Sequence, residues 1–81
     1  MKIVAGYKYF KIGHGDLKPG RKTLDYFVLS NQTGMQLGAI AWYTSWRSFA
    51  FFPDDGTVWS QDCLQDIQCF ITERMLERKQ T

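Results

Sequence analysis

Cysteine, proline and histidine are scarce in this 81-residue chain, which has two, two and one of them. The lone histidine, His14, leaves no Ser-His-Asp arrangement, and with only Cys63 and Cys69 beside it there is no set of ligands at metal-binding spacing. The two cysteines fall six residues apart on one helix, about 120° apart around its axis and about 9 Å along it, too far for an unstrained disulfide. Two free thiols suit a reducing compartment. No apolar run reaches the roughly 18 residues of a membrane span, and Met1 to Lys8 lacks the long apolar core of a signal peptide. The expectation is a cytosolic protein with no resident metal or cofactor.

Net charge is also small, at +2. Residues 1–30 hold six cations, including Lys18, Arg21 and Lys22, against Asp16 and Asp25, whereas the remainder holds four against six. The basic end can attract a small anion, but a long basic stripe of the kind that binds duplex DNA is missing.

What is abundant is apolar and aromatic side chain: 44% hydrophobic and 16% aromatic residues, with no repeat or low-complexity tract. One globular domain over residues 1–81 follows, burying roughly 60–65% of the surface its unfolded chain exposes. Its centre is the stretch from Leu37 to Pro53, which holds six of the thirteen aromatic residues and the single charge Arg47. That composition suits two antiparallel strands joined tightly at Thr44-Ser45, with Pro53 closing the second strand by removing a ladder donor. Residues 2–12 alternate as one edge strand, 13–22 form a loop of three glycines and a proline, and 23–30 form a further strand ending in a turn at Gly34. Ser60 is an N-cap, and Leu64, Ile67, Ile71, Met75 and Arg78 recur at helical spacing to give one amphipathic helix of roughly five turns ending near Lys79. The fold class is α+β: an antiparallel sheet of about four strands with one C-terminal helix packed on one face.

One helix covers one face, yet both faces of the central strands are apolar. A large aromatic patch is seldom left in water, so the second face should meet a ligand, another protein or a second copy, and a homo-oligomer is the simplest expectation. The candidate binding residues are Trp42, Tyr43, Trp46, Arg47 and Phe49, because flat rings and a guanidinium match a purine and its phosphates. Lys18 and Arg21 in the glycine-rich loop add charge for an anion, although neither P-loop spacing nor a following helix is present. The bland alternatives are that the rings are core or interface, that the loop is only solvated, and that the cysteines are small buried hydrophobes. His14 has Asp16 as its only carboxylate near in sequence, so no catalytic residue is assigned.

Three blocks, Gly38 to Tyr43, Trp46 to Pro53 (W-R-S-F-A-F-F-P), and Thr57 to Ile71 with its C-L-Q-D-I-Q-C-F-I helix, resemble a group of small phage and prophage proteins. The likeness covers about 35 residues and leaves the basic loop outside it. It implies a non-enzymatic role against bacterial immunity, in which an oligomer sequesters a cyclic or ADP-ribose-type nucleotide signal. Two rival expectations come from the residues themselves. One is a protein-interaction module that docks its aromatic face or sheet edge on a host enzyme; the other is single-stranded nucleic-acid binding, against which the near-neutral charge weighs.

Overall fold

Apolar and β-branched side chains drive the first two thirds of the chain into extended pairs. The computed structural model, which describes residues 1–79, contains β1 (Lys2–Gly6), β2 (Phe10–His14), β3 (Tyr26–Ser30), β4 (Gln36–Tyr43), β5 (Ser48–Pro53) and one helix, α1 (Gln61–Lys79). The strands form a single antiparallel meander in the order β1-β2-β3-β4-β5. The α+β class with a C-terminal helix is as expected, but the sheet has five strands rather than about four. The difference lies in residues 2–12, which fold back on themselves instead of running as one strand. Tyr7 N–H donates to the Phe10 carbonyl at 2.8 Å to close that corner. Asn31 Nδ2, 24 residues away in sequence, donates to the Tyr7 carbonyl at 2.8 Å and holds it. A turn fixed by so distant a donor leaves little local signature.

Two further boundaries differ from expectation. The strand expected from Thr23 begins at Tyr26, so the loop after β2 is longer. Trp46 belongs to a single 3₁₀ turn, Thr44–Trp46, rather than to a strand, and Arg47 leaves that turn in the left-handed conformation at φ 51°.

The core forms on the helix side only. Phe10, Ile12, Tyr26, Val28, Ile40 and Phe49 from the sheet are buried against Ile67 and Phe70. Gly38 belongs to this face because it stands opposite Val28. The Phe51 ring lies over it so closely that a Cβ on Gly38 would sit 2.7 Å from the ring. Phe51 is held in turn by Trp59, edge to face at 4.7 Å. At the start of α1, Ser60 Oγ accepts the Cys63 N–H at 3.2 Å, so the serine caps the helix as its sequence position suggests. The core-facing side of α1 runs through Cys63, Ile67, Phe70, Ile71 and Met75, with Arg74 half-buried beside them, while Leu64, Leu76 and Arg78, expected in or beside it, are exposed. Both cysteines are free thiols.

The other face of the sheet carries no helix. Register places Phe27, Leu29, Ala39, Ala41, Ala50 and Phe52 there, none of them fully buried.

Candidate functional site

The C-terminal end of α1, the inner edge of the loop before β3, and the paired ends of β4 and β5 meet at one end of the sheet on its helix side. They border an open cavity of about 340 Å³ lined by Lys22, Leu24, Tyr26, Phe49, Arg74, Glu77 and Arg78. An adjoining hollow of about 280 Å³ shares Lys22 and Arg78 and reaches Trp42 and Arg21. Together they make one groove with aromatic walls and a rim of Lys22, Arg74 and Arg78 interrupted by Glu77.

Each cation has a stated position. Arg78 spreads its guanidinium over the Trp42 ring, 4.1 Å from the centroid. Arg74 lies 4.5 Å over the Phe70 ring and pairs with Glu77 at 2.8 Å. Its side chain is only 15% exposed, and its Nε is buried without a hydrogen-bond partner among the described residues. Burial pushes the Tyr26 hydroxyl above its usual range and Glu77 adds to this, while the neighbouring Arg74 guanidinium opposes it. Tyr26 is therefore a neutral hydrogen-bond donor at physiological pH. Phe49 and Phe70 meet its ring edge to face, at 6.2 and 5.0 Å. The groove thus offers guanidinium forks, a phenol donor and flat rings, the set of groups that holds an anion attached to a planar body.

The residues singled out from the sequence do not all meet there. Trp42 and Phe49 line the groove, and Arg21 stands at its margin, already paired with Asp25 at 2.9 Å. Lys18 does not reach the groove; it meets Arg21 instead at a separate hollow of about 160 Å³ bordered also by Asp16, Asp25 and Phe27. Tyr43 and Trp46 stack edge to face at 4.8 Å away from the groove, with Trp46 72% exposed, and Arg47 occupies the corner between β4 and β5. Strand alternation explains the split, because neighbours such as Trp42 and Tyr43 point to opposite faces.

Tyr26, Arg74 and Arg78 were not among the candidates. A sequence signal for the arginines existed: positions 74 and 78 continue the spacing of Ile67, Phe70 and Ile71, and a cation on a buried stripe needs something to face.

Catalytic chemistry finds little support in this geometry. His14 Nδ1–H donates to the Gly15 carbonyl at 2.7 Å and the ring packs on Tyr26. Among the described residues no group of three or more potential ligands is placed to hold a metal ion. No helix among them is long and apolar enough to cross a membrane.

Comparison with known proteins finds no matching family model and no matching solved structure. The chain is 37% identical over 62 residues to an uncharacterized 9.3 kDa protein of Acholeplasma phage L2, a match that spans 76% of this chain and 80% of that protein. At that identity and coverage, the resemblance to small phage proteins holds, and the chain belongs to the same family as this phage protein.

Proposed function

We propose that the protein is a non-enzymatic anti-defence binder of the phage type, which sequesters a nucleotide-derived immune signal, cyclic or of the ADP-ribose type, as a homo-oligomer. The observation that supports this is the groove. Lys22, Arg74 and Arg78 stand around a cavity of about 340 Å³, large enough for a small ligand, with the rings of Tyr26 and Phe49 in its walls and Trp42 in the adjoining hollow. Phosphoryl oxygens go to the guanidinium groups and the phenol, and a base goes to the rings. The one carboxylate that lines the cavity, Glu77, is held by Arg74 at 2.8 Å. Membership in a family with a phage-encoded relative fits a role in the contest between phage and host.

The test is calorimetric titration with cyclic dinucleotides and ADP-ribose derivatives. At least one of them is expected to bind, and Arg78→Ala is expected to weaken that binding tenfold or more. Absence of heat across the whole panel would remove the reading.

A second reading, a protein-interaction module acting on a host enzyme, draws on a different feature. Tyr43, Trp46 and Phe52 form an exposed run of rings, with centroids at 4.8 and 6.2 Å. It predicts that Trp46→Ala abolishes capture of a host enzyme while nucleotide titrations stay silent.

A further inference from the structure

The sheet face away from α1, bordered beside Phe27 by loop residues Leu17, Lys18, Arg21 and Asp25, has a relief of its own. Five residues align across the strands: Ile3 opposite Gly13, Gly13 opposite Phe27, Phe27 opposite Ala39, and Ala39 opposite Phe52. Large and small side chains therefore alternate. The slot over Gly13 is filled from within the chain, since a Cβ there would meet the Met1 sulfur at 2.9 Å and the Ile3 Cδ1 at 3.0 Å. The small side chain of Ala39 stands between Phe27 and Phe52. Small side chains continue with Ala41 and Ala50, which stand opposite each other in the next row, so Phe27 on β3 is a ridge beside an alanine hollow on β4 and β5.

A ridge beside a hollow of matching width on one surface is self-complementary. A two-fold axis lying in the contact plane, parallel to the strands and midway between β3 and β4, sets each copy's Phe27 over the other copy's Ala39. It keeps the strands of the two sheets aligned to within about 30°, the usual arrangement of stacked sheets.

Charge agrees with this placement. The only charged side chains on the five strands are Lys2 and Lys11, and Lys2 stands opposite His14, leaving Lys11 as the one charge that the strands present on the open face. Lys11 is level with Leu29, and Asp54, whose N–H donates to the Leu37 carbonyl, is level with the same row at the end of β5. The two-fold axis carries β2 of one copy over β5 of the other, which brings Lys11 opposite Asp54 twice.

Area sets the strength of the contact. The four strands that overlap, β2 to β5, about 4.8 Å apart and roughly 20 Å long, give a face of at most roughly 400 Å² in projection. A symmetric pair therefore buries on the order of 1,000 Å² once ring contours are included, at the lower bound for a specific interface.

We infer that a second copy of this chain covers the open sheet face, forming a two-fold sandwich in which Phe27 enters the Ala39-Ala41-Ala50 hollow and Lys11 pairs with Asp54 of the other copy. This supplies a subunit contact for the oligomer of the proposed function and leaves the groove, on the helix side, open in both copies. Sedimentation equilibrium from low to high micromolar concentration tests it. The native chain is expected to pass from 9.4 kDa to twice that mass. Ala39→Arg, which fills the hollow with a charge, is expected to remain monomeric, with circular dichroism confirming its fold. Lys11→Asp and Asp54→Lys are each expected to weaken association tenfold or more, and the double variant to regain most of it.

A native chain that stays monomeric throughout overturns the inference, as does association that folded Ala39→Arg leaves unchanged. Lack of recovery in the charge-swapped double variant overturns the two-fold placement. A chain that dimerises this way yet takes no nucleotide keeps the assembly and removes the ligand, and the converse result does the opposite.

Discussion

Replacement of Arg74 by methionine separates a ligand-binding groove from an ordinary packed helix end. The side chain is 15% exposed, and methionine preserves most of its packing against Phe70. What disappears are the pairs with Glu77 and Glu73, together worth about 0.3–1 kcal/mol because both carboxylates are largely exposed. Also lost is the cation over Phe70, worth about 0.5–1 kcal/mol. What is gained is relief of the buried Nε that has no acceptor, a burden of about 1–3 kcal/mol. The terms largely offset, so Arg74→Met is expected to lie between about 1 kcal/mol less stable and about 2 kcal/mol more stable than the native chain. Arg74→Ala, which also deletes two buried methylenes at about 0.8 kcal/mol each and leaves a void, should be roughly 2 kcal/mol less stable than Arg74→Met. Urea unfolding followed by tryptophan fluorescence measures both. In calorimetry, Arg74→Met should lose ligand affinity by tenfold or more, the loss of one charge-assisted contact. A large loss of stability in Arg74→Met, above about 2 kcal/mol, would refute the reasoning: the arginine would then be a structural clamp whose energy comes from the fold.

Two further outcomes follow from the packing. Gly38→Ala puts a methyl 2.7 Å from the Phe51 ring, which Trp59 keeps from yielding, so unfolding measurements should show a loss of about 1–3 kcal/mol, whereas a neutral result would mean the ring shifts freely. The hydroxyls of Tyr7 and Tyr26 are both raised above 10.0, first by burial, so the folded state holds these protons more tightly than the unfolded chain. Their contribution is complete below that value and is lost as pH rises through the higher folded values. Stability should therefore fall on the alkaline side of about 10, and the Tyr7→Phe, Tyr26→Phe double variant should flatten the fall in a urea series across pH.

Much of the fold was legible in the residues. Alternating apolar side chains, the glycine at 34 and the serine before α1 are local signals, and each marks its element because the cause lies within a few residues. The corner after β1 was not legible, because the amide that braces it comes from Asn31, across the sheet. The candidate site was readable only in part. Composition marked Trp42 and Phe49 as ring donors and the first third of the chain as basic, but strand alternation sent Tyr43 to the far face and Trp46 into the turn. The cations that join those rings, Arg74 and Arg78, come from a helix some thirty positions later in the sequence.

By itself, then, the sequence determined the element types, the scarcity of catalytic and metal-binding groups, and the excess of apolar surface over what one helix can cover, since these depend on residue identity and near spacing. Only the tertiary structure decided which face α1 covers and which rings meet which charges. Those depend on register and on contacts between residues far apart in the chain, where a shift of one position turns every side chain to the other side.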